Sequence, residues 1–218
     1  MSGRLRAYVV IFVKMPRLGQ VKSRLAAGIG ALSALRFYRE TTTRVLRVLG
    51  HDPRWRTVIA TTPAGARRGR FWDRALSRFD QGSGDLGRRM ARAFRALPPG
   101  PAVIVGSDIP ALAPRHIRAA FHALGNHDAV IGPARDGGYW LIGLKRSRPL
   151  PARLFAQVRW SSPHALADTR ATLPRSYRVA LLETLEDVDD RESHDRWRAA
   201  ETLKTRRRVS SDAPAGGA

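Results

Sequence analysis

The chain has 218 residues and sets 39 Lys and Arg against 18 Asp and Glu, a formal charge of +21. Its 43% hydrophobic and 26% charged residues are a globular composition, which excludes disordered and fibrous classes. The lack of cysteine excludes disulfides and thiolate metal sites. Such a balance puts nucleic acid or an anionic membrane among the partners to weigh. Yet only Lys14, Lys22, Lys145 and Lys204 are lysines. Arg, Ala, Gly and Pro, all abundant here, share GC-rich codons, so genome composition is an equal reading of the charge.

Ala7–Val13 is a β-branched and aromatic run that predicts a buried strand. It is far shorter than the ~20 residues of a membrane span. Lys14 ends it without a small-residue cleavage site, so a cytoplasmic location with no membrane partner is expected. A polar loop, Lys14–Ser23, follows, then a helix from Ala31 to Leu49 stopped by Gly50. Arg56–Thr61 predicts a second strand, and Phe71–Phe79 a helix. Gln81–Gly84 reads as a glycine-bearing loop, followed by an Arg-rich helix over Leu86–Leu97. Ala102–Gly106 is a third strand, and Pro114 opens a helix to Leu124. Ala129–Gly132 and Tyr139–Leu144 are strands about a Gly-Gly turn. Ser162 opens a helix to Leu173, Tyr177–Leu182 is a strand, and Glu192–Leu203 is the last helix. One domain over 1–203 and a disordered tail over 204–218 are expected.

Strands alternating with helices argue for an α/β layered domain with a mainly parallel sheet, whose ligands bind beyond the carboxyl ends of the strands. Chemistry-bearing residues fall at those ends. Lys14, Arg17, Lys22 and Arg24 surround Gly19 in the first loop, an arrangement that suits phosphate oxygens but is equally a solvated basic loop. It lacks the Walker A spacing. Asp108 follows the third strand, and Glu186–Asp190 is an acidic cluster after the last. Carboxylates from two strand ends suit Mg²⁺ or Mn²⁺, whereas an isolated Asp more often braces a loop. Asp136-Gly137-Gly138 reads foremost as hairpin chemistry, with Tyr139 and Trp140 stacking on a ring or filling the core. The histidines have no metal-binding spacing, and His164 alone is a faint candidate. No G-x-S-x-G or G-x-G-x-x-G motif occurs.

Taken together, Phe12–Leu25, Gly84–Met90, Gly106–Pro110, Gly132–Leu144 and Asp187–Asp189 resemble, in order and spacing, the bacterial DUF2064 family of GT-A-type glycosyltransferase-like proteins, some of them assigned to arsenosugar biosynthesis. The resemblance covers roughly residues 6–195. It implies a Rossmann-like GT-A sandwich related to nucleotide-diphosphosugar transferases and small guanylyltransferases. On that likeness Lys14, Arg17, Gly19, Lys22, Ser23, Arg24 and Asp85 belong to the nucleotide and its phosphates. Asp108 and Asp189 would hold Mg²⁺ or Mn²⁺. The likeness implies that Gly137, Gly138 and Tyr139 line the nucleotide or the acceptor and substrate side, and Asp136, in a glycine turn facing the same strand ends, is a candidate acceptor-side catalytic base. Two departures stand out: Ser23 where the family favours Thr, and Asp189-Asp-Arg-Glu-Ser193 where it generally reads Asp-Thr-Pro-Glu-Asp.

The expected function is therefore metal-dependent transfer from a nucleotide-activated substrate, foremost glycosyl transfer from a nucleotide sugar to a small acceptor. The alternative is nucleotidyl transfer from an NTP to a phosphorylated small molecule. A basic nucleic-acid-binding module is the third reading. It is disfavoured by arginines spread through the chain without an aromatic RNA-binding motif or helix-turn-helix pattern, and no specific nucleic-acid partner is expected.

Overall fold

The computed structural model describes residues 5–211, with side chains described through residue 203. Seven strands form one sheet: β1 (Tyr8–Lys14), β2 (Arg56–Thr62), β3 (Ser77–Asp80), β4 (Ala102–Gly106), β5 (Ala129–Pro133), β6 (Tyr139–Leu144) and β7 (Val179–Leu181). Their order is β3-β2-β1-β4-β6-β5-β7. All neighbours pair in parallel except those of β6, which runs antiparallel to both β4 and β5. The helices are α1 (Ser23–Ile29), α2 (Ala31–Gly50), α3 (Leu86–Ala96), α4 (Pro114–Asn126), α5 (Ala165–Ala171) and α6 (Arg191–Ser211). This is the Rossmann-like, mainly parallel sandwich that the sequence led us to expect.

The unbroken apolar run of β1 follows from burial on both faces. Val9, Ile11 and Val13 pack into a core with Val45 and Leu49 of α2 and Ile117 and Leu124 of α4. Tyr8 and Val10 face a second core with Met90 and Phe94 of α3 and with Phe155. The direction in which successive strands are added reverses between β1 and β4, so a crevice opens beyond their carboxyl ends.

Three expectations give way. The helix expected over Phe71–Phe79 is a run of turns leading into β3, which pairs in parallel with β2. Two local bonds decide it: Trp72 is buried and donates its indole N–H to the Ala66 carbonyl, and the Asp73 carboxylate accepts the Ala75 amide in a turn. The loop expected through Ser23 instead passes into α1, whose Leu25 is fully buried in a small third core. Finally, α6 continues past Leu203 to Ser211, where a disordered tail was expected. The sequence there carries straight-chain Lys and Arg with no Gly or Pro before Pro214, so backbone propensity extends the helix without an apolar face. The rest of the expected tail, 212–218, lies outside the described residues.

Candidate functional site

The ends of β1 and β4 are fixed from behind by α2. The Tyr38 hydroxyl accepts the Lys14 amide at 2.8 Å and donates to the Lys14 carbonyl at 3.0 Å. Burial pushes the Tyr38 phenol above its ordinary range, so it stays a neutral donor. Tyr38 and Thr42 both lie 3.4 Å from the buried Ser107 hydroxyl, beside Asp108. On the other flank the buried Gln81 amide donates to the Val13 and Ala60 carbonyls and accepts from Arg89 at 2.9 Å.

The second acidic segment is set by strand-like alternation. Val188 points into the small core with Leu25, Ala34 and Phe37. Asp187 and Asp189, one residue to either side, offer carboxylate oxygens that lie with one of Asp108 within 4.8 Å of one another. The start of α6 pins this segment: the Ser193 hydroxyl accepts the Asp189 and Asp190 amides at 3.1 Å, while Asp190 accepts the Ser193 amide at 2.9 Å. Where the family generally has Thr and Asp at these two positions, this chain has Asp190 and Ser193, and the two cap one another reciprocally.

Lys22 lies across the acids. Its backbone is left-handed (φ 49°, ψ 50°) at the start of α1, and its ammonium reaches Asp108 Oδ2 at 2.8 Å and Asp189 Oδ1 at 2.5 Å. Its side chain is only 5% exposed. Burial draws its pKa down, but the two carboxylates more than reverse this, and Lys22 stays charged above the ordinary lysine range. Asp187 has no such partner. Burial first, then the charges of Asp189 and Asp108, push its carboxyl up to about 7.

A cavity of about 730 Å³ opens beside this cluster, lined by Lys14, Lys22, Ser23, Arg24 and Arg89 and bounded by Asp108, Asp136 and Asp189. A smaller one of about 160 Å³ adjoins it, walled by Ile109, Tyr139, Trp140 and Trp160 and bounded by Asp108, Asp136 and Asp187. The sequence-derived residues Lys14, Lys22, Ser23, Arg24, Asp108, Asp136, Gly138, Tyr139 and Asp189 therefore meet in one place. Others do not line either cavity. Arg17 and Gly19 form the tip of the first loop, where the Gln20 amide bonds the Arg17 carbonyl and Gly19 takes φ +70°. Asp85, expected at the nucleotide, caps α3 by accepting the Arg88 amide at 2.8 Å. Gly137 packs its backbone on Pro163, and His164 stands before α5.

Asp187, Gln81, Arg89 and the Trp160-Ser161-Ser162 segment were missed as site residues. For Asp187 a signal existed in the acidic cluster. For Trp160–Ser162 no local pattern marks a loop that only the tertiary fold brings over β4 and β6.

The three carboxylates fit a hard divalent cation, which takes oxygen ligands. Among the described residues no helix is long and apolar enough to cross a membrane.

The family described as uncharacterized proteins conserved in bacteria, DUF2064, matches residues 45–162, and the chain belongs to it. No curated protein matches the chain. Among solved structures, a protein of Desulfovibrio desulfuricans G20 classed with the nucleotide-diphospho-sugar transferases is 28% identical, with TM-score 0.74 over 84% of this chain and 82% of that one. CMP:2-keto-3-deoxy-manno-octonic acid synthetase in complex with CTP is 12% identical, with TM-score 0.54 over 92% and 100% of the two chains. Rv0371c of Mycobacterium tuberculosis H37Rv in complex with manganese is 16% identical, with TM-score 0.53 over 88% and 97%. The last two are likenesses of fold.

Proposed function

We propose that this chain is a metal-dependent transferase acting on a nucleotide-activated substrate, and that it transfers a glycosyl group from a nucleotide sugar to a small acceptor. The observation that carries the reading is the juxtaposition of Asp108, Asp187 and Asp189 with a cation-lined cavity at the reversal point of the sheet. The likeness to the Desulfovibrio protein supports the choice of a nucleotide sugar.

In this reading Asp108, Asp187 and Asp189 would hold Mg²⁺ or Mn²⁺, which supplies Lewis-acid neutralisation of the diphosphate. Lys14, Arg24 and Arg89 meet the phosphate oxygens from the wall of the larger cavity. As the glycosidic bond breaks, negative charge gathers on the departing diphosphate. Fixed cations then stabilise the transition state more than the ground state. Asp136 borders both cavities, which supports giving it the role of taking the acceptor proton.

The test is incubation with Mn²⁺ and separate panels of nucleotide sugars and NTPs. Release of nucleoside diphosphate is expected. Pyrophosphate release from an NTP would assign nucleotidyl transfer instead, and full metal-dependent activity in Asp108→Asn would overturn the site.

A further inference from the structure

The two cavities differ in charge more than their shared border suggests. Four cations, Lys14, Lys22, Arg24 and Arg89, line the larger one. The smaller is lined by no Lys or Arg among the described residues, although the chain carries 39. Its charged groups are Asp108, Asp136 and Asp187, and the rest of its wall is aromatic, apolar or neutral. In so basic a protein, a pocket free of cations is a specific feature and not a consequence of composition.

We infer that the smaller cavity receives the acceptor, and that this acceptor is a non-anionic small molecule bearing a hydroxyl, not a phosphate ester. The inference rests on the transferase reading above and names its second substrate. Size and surface agree with it. About 160 Å³ holds roughly five waters' worth of volume, room for one small ring or short polyol. Tyr139 and Trp160 stand edge to face with ring centres 6.4 Å apart, and Trp140 completes an apolar wall suited to the carbon face of such a molecule.

Charge decides against a phosphate ester. Asp108, Asp136, Asp187 and Asp189 supply four carboxylates, which Lys22 and a divalent ion together leave negative by one. The nucleotide's own phosphates add to that. An anionic acceptor would enter against this field with no donor cation to receive it, whereas a neutral hydroxyl meets only carboxylate acceptors. In the transfer, the acceptor oxygen bonds the anomeric carbon as that carbon's bond to the β-phosphate oxygen breaks. The electron pair leaves on the nucleoside diphosphate, and the acceptor proton passes to Asp136.

Matched probes test this: glycerol against glycerol 3-phosphate, and glucose against glucose 6-phosphate, each with saturating Mn²⁺ and nucleotide sugar. The unphosphorylated member should be preferred in turnover or binding by at least about 100-fold. Ser161→Lys places a cation on the border the pocket shares with the larger cavity, at a backbone φ of 57° close to the one Lys22 already adopts. It should improve binding of the phosphorylated probes by about tenfold or more. A phosphate ester used or bound as well as its partner by the native protein, or no gain in Ser161→Lys, would overturn the inference. Calorimetry of nucleotide with Mn²⁺ is a separate arm: loss of that binding would refute the transferase reading itself, leaving the two failures distinct.

Discussion

Asp187 offers a sharp test of the site because its removal should help the fold while harming the function. An ordinary aspartate titrates near 3.8, and Asp187 near about 7, through burial and the charges of Asp189 and Asp108. At about 1.4 kcal/mol per pH unit, holding it ionised in the metal-free fold costs up to about 4 kcal/mol. The side chain is partly open to solvent, which screens that cost to about 1–3 kcal/mol. The sign follows from proton binding. Between about pH 4 and 7 the native state holds a proton that the unfolded chain has lost, so this contribution to stability falls as pH rises and is flat above 7.

Asp187→Asn removes the pH-dependent cost. In EDTA at pH 8 the variant should melt above the native protein by about 2–12 °C, using about 2–4 °C per kcal/mol for a domain of this size. Near pH 5 the gain should shrink, since native Asp187 is then largely protonated. Mn²⁺ affinity should fall at least about tenfold, because even indirect support of a ligand is worth that much. Melting curves at several pH values, with and without Mn²⁺, check both arms. A variant less stable at pH 8, or one that binds Mn²⁺ as the native protein does, would refute the assignment.

Lys22→Met should lower metal-free stability by about 1–2 kcal/mol. A buried partner loss would cost about 3–5 kcal/mol, but Asp108 and Asp189 are 33% and 45% exposed. Because the ammonium already neutralises Asp108 and Asp189 and repels a divalent ion brought beside it, Mn²⁺ should raise the melting temperature of this variant more than that of the native protein. Gly137→Ala places a Cβ 2.3 Å from the Pro163 carbonyl oxygen at φ +83°, and should cost about 2–4 kcal/mol in denaturant unfolding while displacing Asp136.

What could be read from the sequence follows physical range. β1, β4 and β6 were legible because burial on both faces writes them as unbroken apolar runs, and Asp108 because it follows such a run directly. β3 was not legible. Phe71, Trp72, Leu76 and Phe79 mimic a helical stripe, and the choice was made by an indole bond to Ala66 and pairing with β2, neither of them encoded in periodicity. Asp85 carries a local signal as well: an Asp just before a helix is a capping residue, and it caps α3, while its expected place at the nucleotide came from the family likeness alone. Asp187 stood in plain view, but its role emerges only once Val188 is seen to turn inward. Lys22 was expected at phosphate, and no local rule could place it on two acids 86 and 167 positions away.

On the transferase reading, the net charge of +21 should act on association rather than on recognition. Arginines are distributed along the whole chain, and their summed field should attract an anionic nucleotide from any direction. Near the site the sign is uneven: the larger cavity sets four cations beside Asp108, Asp136 and Asp189, the smaller holds carboxylates alone, so the field should both draw the anion into the larger one and orient it there. Surface attraction is screened over about 10 Å at 0.1 M salt, while contacts inside the cavity are screened much less. Raising salt from about 0.05 to 0.5 M should therefore slow nucleotide association by about tenfold or more and leave dissociation nearly unchanged. Stopped-flow binding at several ionic strengths separates the two rates. Were dissociation the rate that salt changes, the cations that matter would lie in solvent-exposed contacts with the phosphates, and the division of charge between the cavities would not orient the nucleotide.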